Sequence, residues 1–224
     1  MMNWQDWLTV WQHIDRVALG FGTTVLFFTV ATVTAFIGGC GMVYLMGGNP
    51  NFLKRSLRST LDILRTLPFL IVLYLLYYGL PQLGIRMSAW TAGLIALSAY
   101  HAAYYAEILR GARAALPQGQ VESAKAHGFT PFRMYYRILL PQMVLRSGPL
   151  FGNQLVGCLK DTAFLSIITI YELTASANDL QQVYFIPMPA FIVVILLYWC
   201  VSLVIEKFRR SMGLFAKHRG LSYE

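Results

Sequence analysis

Four stretches of the chain contain no charged residue, and they constrain the fold more than any other feature of the sequence. They cover residues 17–53, 66–85, 87–106 and 180–205. Each stretch can supply the roughly 20 predominantly apolar residues that a helix needs to span a lipid bilayer. The pattern therefore predicts several transmembrane helices.

The composition supports an integral membrane protein. The chain is 57% hydrophobic and only 12% charged, whereas soluble domains carry about 25% charged residues. A fifth apolar segment follows the central part of the chain and is interrupted by Lys160 and Asp161. We therefore predict an all-α membrane protein with five transmembrane helices. The predicted spans are residues 23–46, 68–80, 88–108, 142–159 and 189–204.

The distribution of basic residues predicts the orientation of these spans. Fifteen of the 18 lysines and arginines lie on alternate loops, which all fall on one side of the membrane if there are five spans. Because cytoplasmic loops are enriched in lysine and arginine, the N-terminus is predicted outside, and the central loop and C-terminus inside. Nucleic-acid binding is not expected, because the charges sit at the ends of spans and form no basic face.

The chain is predicted to form a single membrane domain over residues 1–224. Residues 1–18 form an amphipathic segment whose tryptophans, Trp4 among them, favour the membrane interface. Residues 206–224 form a basic tail that is predicted to lie along the lipid headgroups.

Two further features argue against a removable signal peptide and against a metal site or disulfide framework. Asp6 and Asp15 lie in the first fifteen residues, with no basic region before the apolar run, so no removable signal peptide is expected. The cysteines are Cys40, Cys158 and Cys200, all within apolar segments and far apart in sequence. This spacing predicts neither a metal site nor a disulfide framework.

A polar loop over residues 117–141 separates the third and fourth predicted spans. Residues 118–127 have helical composition, and Gly128 is predicted to end that helix in a left-handed conformation. Thr130 and Pro131 suit the cap and first position of a second helix, which Pro141 is predicted to stop. The two helices suit transmission of force into a cleft of another protein. An ordinary loop lying on the bilayer remains an alternative.

The order of residues in this loop resembles the "EAA" loop of permease subunits of bacterial ABC importers. Every fixed position of the motif is matched, with Ser123 as the only substitution of a usual alanine. Flanking runs at 65–68, 105–111, 116–120 and 160–162 are similar to the polar amino-acid branch of that family. The resemblance implies an ATPase-coupling role for Glu122, Ser123, Ala124, His127, Gly128, Ile138, Leu140 and Pro141.

The resemblance also implies the fold and the partners. It implies a type I importer permease with a five-helix core and cytoplasmic coupling helices, in the bacterial inner membrane. A second permease, identical or paralogous, would complete the path, two ATPase subunits would dock on the loops, and a periplasmic binding protein would deliver substrate. The chain has no phosphate-binding G-x4-G-K-[ST] loop. ATP and Mg²⁺ would therefore bind the partner, and this chain is expected to hold no cofactor and no catalytic residue.

Polar residues at membrane depth are candidates for the substrate path, because charges there are costly and usually face a cavity or one another. A structural alternative is that Lys160 pairs with a carboxylate and locks a break between two helical segments. For the amides, hydrogen bonding between helices is the corresponding alternative. The candidates are Asn153, Gln154, Lys160, Asp161 and Glu172.

Two other classes of function remain as alternatives. A membrane-embedded enzyme is disfavoured because the sequence contains neither G-x-S-x-G nor H-E-x-x-H. His101 and Glu107, on one predicted helix, are the only and weak candidates for catalytic residues. A solitary carrier or channel is disfavoured because five spans without an internal repeat make a poor carrier. The resemblance implies a polar amino acid or an opine as substrate, and a basic one is preferred because carboxylates outnumber lysine among the candidates.

Overall fold

The structure is a computed structural model that describes residues 3–48 and 52–218, and no strand occurs in these ranges. Its α-helices are α1 (Trp4–Gln12), α2 (Ile14–Leu45), α3 (Phe52–Thr66), α4 (Phe69–Tyr74), α5 (Ala89–Ala114), α6 (Gln118–Ala126), α7 (Pro131–Met134), α8 (Leu140–Arg146), α9 (Gly148–Asp161), α10 (Leu173–Tyr184) and α11 (Pro187–His218). Three of these α-helices are followed directly by π-helical or 3₁₀ segments. A π-helical turn (Leu75–Gly79) and a 3₁₀ helix (Leu80–Leu83) follow α4, a π-helical turn (Tyr135–Leu139) follows α7, and a 3₁₀ helix (Thr162–Ile168) follows α9.

The helices cover most residues of the five predicted spans. Length and hydropathy alone identify fewer than five helices that can cross a membrane. By these two properties α2 and α11 are able to cross a membrane, and the pair α3–α4, bent between its two helices, adds at most a third. The α5 helix is long enough, but its tyrosines, His101, Glu107 and the arginines near its end lower its hydropathy. The count of five spans therefore stays a prediction, as does the orientation.

The predicted end of the second loop helix at Pro141 is wrong. The chain passes from α7 through the π-helical turn Tyr135–Leu139 directly into α8, and Pro141 lies in the first turn of α8. The N–H of Leu140 donates to the carbonyl of Tyr135, five residues earlier, so the register change falls directly before the position at which proline has no N–H to donate. A π-helical turn adds one residue to the hydrogen-bonded ring, so the ladder changes register just before the proline.

The fourth predicted span is also divided more finely than expected. It consists of α8 and α9, with Ser147 as the residue between them. The α9 helix continues to Asp161, so Lys160 and Asp161 end the helix instead of interrupting it. The 3₁₀ helix that follows ends at Ile168, and the next residue, Thr169, has a left-handed φ of 67°.

The described residues divide into two compact units, and α2, α5, α9 and α11 contribute residues to both. The first unit comprises residues 1–33, 68–98 and 156–204. One of its apolar clusters is formed by α1, the start of α2, α10 and the start of α11. Its buried members are Val10, Val17, Leu173, Ala177, Leu180, Ile186, Ala190 and Val194.

The second unit comprises residues 34–67, 99–155 and 205–224, and its core includes an alanine-rich face of α5. Ala102, Ala103 and Ala106 are buried on that face. A Cβ added to Gly39 would lie 2.8 Å from Cβ of Tyr105 and 2.9 Å from the backbone nitrogen of Ala106. Small residues thus let α2 and α5 approach closely, as is common between membrane helices.

Candidate functional site

The first helix of the central loop is α6, and its end has the predicted geometry. Gly128 has φ of +73°, a left-handed conformation that glycine adopts without steric cost. Its N–H donates to the carbonyl of Lys125 at 2.9 Å, and the N–H of Phe129 donates to the carbonyl of Ala124 at 3.1 Å. These bonds satisfy carbonyls at the end of α6 that have no partner within the helix.

The second helix of the loop also begins as predicted. Thr130 is the N-terminal cap of α7, its hydroxyl accepts a hydrogen bond from the N–H of Arg133 at 3.4 Å, and Pro131 occupies the first turn. The cap is a short-range device encoded by the Thr-Pro pair. The sequence therefore predicted both ends of the turn between α6 and α7 correctly.

One side of the loop is anchored in the core of the second unit. Ala124, Met134 and Leu139 are buried there. The hydroxyl of Tyr135 donates to the backbone carbonyl of Cys40 at 2.7 Å. Burial raises the pKa of Tyr135 above its ordinary value, so the hydroxyl stays protonated and remains a donor. The loop is therefore attached to α2 by packing and by a hydrogen bond.

The other side of the loop is exposed. Glu122, Ser123 and His127 are exposed, as are Gly128 and Pro141. The ring nitrogen Nδ1 of His127 is 2.8 Å from the carbonyl oxygen of Ser123, one helical turn earlier. Of the remaining predicted coupling residues, Ile138 and Leu140 are half-buried and Ala124 is buried. The polar members of the motif are therefore exposed, whereas Ala124, Ile138 and Leu140 pack in or against the core of the second unit.

A depression of about 390 Å³ lies beside α6 on this surface. The side-chain amide of Gln142 closes one side of it, because Nε2 donates to Oε1 of Gln120 and to the carbonyl of Ile138, each at 2.8 Å. In the sequence, Gln120 lies in the flanking run 116–120 and Gln142 directly follows Pro141. Their pairing over 22 positions of sequence could not be read from local pattern. The lining is Gly119, Gln120, Ser123, Ala124, His127, Phe129, Ile138 and Gln142.

The predicted substrate-path residues are divided between the two units. Asn153 and Gln154 belong to the second unit, and Lys160, Asp161 and Glu172 belong to the first. Asn153 and Lys160 are exposed, whereas Gln154 and Asp161 are half-buried. The amide nitrogen of Gln154 lies 2.5 Å from Nδ1 of His101, so this amide links α9 to α5, the alternative role considered for it.

Glu172 has structural partners that account for its burial. It caps α10, where its carboxylate accepts hydrogen bonds from the N–H groups of Thr174 at 2.8 Å and Ala175 at 2.7 Å. The hydroxyl of Tyr198 donates to the same carboxylate at 3.2 Å. The residue is fully buried. A carboxylate with these three donors is stabilised without a substrate.

Within residues 3–48 and 52–218, no group of three or more histidine, cysteine or acidic side chains is placed to hold a metal ion. Cys40, Cys158 and Cys200 are free thiols.

The sequence and the fold both match known transport proteins. The profile of the family described as "Binding-protein-dependent transport system inner membrane component" matches residues 44–212. A probable amino-acid permease protein of Bacillus subtilis (strain 168) is 30% identical over 219 residues, covering 95% of this chain and 98% of the relative. A probable amino-acid ABC transporter permease protein of Sinorhizobium fredii is 33% identical over 215 residues, covering 93% and 88%.

Two further comparisons bear on the substrate class and the fold. The octopine transport system permease protein of Rhizobium radiobacter is 31% identical over 184 residues, covering 78% of this chain and 73% of the relative. A crystal structure of an amino acid ABC transporter with histidines superposes with a TM-score of 0.81 at 27% identity, covering 95% of this chain and 98% of the other. The fold is therefore the all-helical fold of type I importer permeases.

Proposed function

The chain belongs to the family of binding-protein-dependent transport system inner membrane components, as its sequence predicted, and we propose that it is one half of an ATP-driven importer of polar amino acids or opines. It is an integral membrane transport subunit and not an enzyme. The family operates with separate ATPase subunits and a substrate-binding protein. The observation that carries the proposal is the match over residues 44–212 together with the exposed, anchored loop of α6 and α7.

The loop couples the ATPase to the membrane helices. When ATP binding closes the two ATPases, their movement is applied to the exposed side of α6, where Glu122 supplies a carboxylate for basic groups or helix N-termini. The buried side carries the movement onward, because Met134 and Leu139 lie in the core of the second unit. ATP and Mg²⁺ bind the ATPase, and this chain binds no cofactor.

The path alternates between openings to the two sides of the membrane. In this mechanism ATP binding opens the helices outward to accept substrate from the binding protein, and hydrolysis resets them. The chain crosses the bacterial inner membrane five times as one permease domain, with the N-terminus outside and the loop and C-terminus in the cytoplasm. A second permease subunit, a copy or a paralogue, completes the path.

The substrate class rests on the relatives and on the candidate polar groups that are not fully buried. Asn153 and Lys160 are exposed and Asp161 is half-buried, so these side chains are the stronger candidates for contact with substrate. The cap role of Glu172 removes one of the two carboxylates on which a preference for basic amino acids depended. We therefore propose a polar amino acid or an opine without assigning a charge.

Co-purification tests the assembly. The tagged chain is extracted from its native membrane in mild detergent, and the proteins that accompany it are identified by mass spectrometry. We expect an ATPase, with one permease species for a homodimer or two for a heterodimer. Recovery of the chain without an ATPase would reject the proposal.

Uptake into liposomes tests the activity. Liposomes containing the complex, with ATP inside and the binding protein outside, are expected to accumulate a radiolabelled polar amino acid or opine. Matched liposomes without ATP provide the control. ATP-independent uptake by the permease alone would instead support a solitary carrier.

A further inference from the structure

A cavity of about 790 Å³ in the second unit has a strongly basic lining that the coupling loop does not explain. It lies where the C-terminal ends of α2 and α5 meet the first turns of α3. Among residues 3–48 and 52–218, no carboxylate lines the cavity. Its cationic residues are Lys54, Arg55, Arg58, Arg110 and Arg113.

Helical spacing places these charges close to one another. Lys54 and Arg58 are four residues apart on α3, and Arg110 and Arg113 are three residues apart on α5. Side chains at these spacings are neighbours on a helix surface, and like charges there repel. An anion in the cavity would relieve this repulsion on both helices.

Arg113 is held at the cavity by a backbone contact. Its Nη1 donates to the carbonyl of Val43 at 3.3 Å, near the C-terminus of α2, where a helix favours positive charge. A Cβ at Gly47 would overlap the guanidinium, so the glycine leaves room for it. A guanidinium has five N–H donors, and this bond to Val43 leaves others for a ligand.

The carboxylate beside the cavity is already shared. Glu107 accepts from Nε of Arg110 at 2.8 Å and from Nη2 at 2.6 Å. The same carboxylate lies 3.3 Å from Nη1 of Arg65, which also lies near Asp62. Glu107 therefore balances at most part of the positive charge on the cavity side of α5.

The apolar part of the lining distinguishes a lipid from a small soluble anion. Val43, Met46 and Phe52 line the cavity with the cations, and the side chain of Phe52 is 87% exposed. Leu53 and Ile63 are further exposed apolar residues of α3. A phospholipid offers both complements, since its phosphate suits the cations and its acyl chains suit exposed apolar side chains.

We propose that this cavity binds the headgroup phosphate of an anionic phospholipid from the cytoplasmic leaflet. Basic pockets between membrane helices on the cytoplasmic side bind anionic headgroups. The proposal rests on the proposed orientation, which places the ends of α2 and α5 on the cytoplasmic side. The lipid would hold α3 against the ends of these two helices.

Native mass spectrometry of the whole complex tests the proposal. The permease–ATPase complex is reconstituted in nanodiscs of phosphatidylcholine with a minor fraction of phosphatidylglycerol, and the lipids it retains are counted. The variant is R55Q with R58Q, because both side chains are exposed. The matched control is K207Q with K217Q, which removes the same charge from exposed positions of the basic tail. Because that tail is predicted to lie along the headgroups, the control separates binding in the cavity from general attraction of anionic lipid to positive charge.

We expect the wild type and the control to retain phosphatidylglycerol in preference to phosphatidylcholine, and the R55Q/R58Q variant to retain it roughly tenfold less. Equal retention by variant and wild type would overturn the proposal. Displacement of the lipid by excess inorganic phosphate would reassign the cavity to free phosphate and overturn the lipid. Retention by the permease alone but not by the complex would show that the ATPase covers the cavity, which also overturns it.

The outcome is separable from that of the proposed function. Lipid retention is measured without substrate or ATP. If amino-acid uptake fails while selective retention is found, only the transport proposal is rejected. If uptake succeeds and retention is unselective, only the lipid site is rejected.

Discussion

The central loop and the segment around Glu172 both contain a conspicuous carboxylate, but the two carboxylates have opposite surroundings. Glu122 is exposed on α6. Glu172 is buried and caps α10 through two backbone N–H groups. The difference teaches that a carboxylate in an apolar chain does not by itself indicate a functional site, because its hydrogen-bond partners decide its role.

Reversal of the charge at Glu122 should have the largest effect. We expect E122K to leave the amount of membrane-inserted complex unchanged, because the side chain is exposed. Uptake should fall by about thirtyfold or more, since an interfacial charge then faces unpaired or like charges. ATP-driven uptake in liposomes measures this, together with ATP hydrolysis by the same samples.

The control for this variant is D15K, which reverses an exposed carboxylate near the start of α2. It should transport normally. If E122K also transports normally with coupled ATP hydrolysis, the coupling role of α6 is wrong. Glu122 would then have no functional role to contrast with the structural role of Glu172.

Removal of the carboxylate at Glu172 should mainly affect stability. We expect E172A to lower the free energy of unfolding by about 2 kcal/mol, because the variant loses the helix cap and leaves the hydroxyl of the half-buried Tyr198 with one partner fewer. E172Q, which retains an acceptor oxygen, should lose less. Thermal unfolding of the purified complex measures both losses.

One kinetic result would contradict the assignment of Glu172 to a helix cap and so the contrast with Glu122. An E172Q complex with unchanged thermal stability but a strongly raised KM for substrate would place this carboxylate in the path after all. An unchanged KM with reduced stability supports the cap.

Asp161 provides the contrast within the same unit, because it is half-buried at the end of α9. We expect D161N to change the KM for uptake by roughly tenfold, the loss of one charge-assisted hydrogen bond to substrate. The yield of assembled complex should not change. Unaltered uptake kinetics would remove Asp161 from the substrate path.

The parts of the molecule that depend on local chemistry could be predicted from the sequence. The ends of α6 and α7 follow from Gly128, Thr130 and Pro131, whose conformational preferences act within a few residues. The helical character and the family also followed from apolar length and motif order. The hydrogen bond of Tyr198 to Glu172 could not be predicted, because the two residues are 26 positions apart. The cap donors Thr174 and Ala175, by contrast, are local and lie within reach of sequence reasoning.

Proline shows a second limit of local reasoning. Pro141 was predicted to stop a helix, but it begins one, because the preceding turn widens to a π-helix. Leu139, in that widened turn, is buried in the core of the second unit. Sequence pattern alone does not contain that contact.

The left-handed turn of the loop can be tested with two glycines of the same segment. G128A should cost about 1–2 kcal/mol of stability, because an L-residue is strained at φ of +73°. G119A, also exposed and with no atom within 4 Å of its added Cβ, is the matched control and should not destabilise. Equal thermal stability of the two variants would mean that the turn at residue 128 relaxes without cost.

Removal of the hydroxyl of Tyr135 should have the smallest effect on stability. It also distinguishes the buried side of the loop from its exposed side. Y135F keeps the buried ring but removes the hydroxyl that donates to Cys40, so we expect a loss of about 0.5–1.5 kcal/mol. Y136F alters the neighbouring, exposed ring and should change nothing. Thermal unfolding of both complexes measures the difference, and uptake per ATP hydrolysed shows whether a loosened anchor also weakens coupling. If Y136F were the more damaging variant, the exposed side of the loop would carry the stabilising contacts, and the assignment of a buried anchor and an exposed coupling surface would have to be reversed.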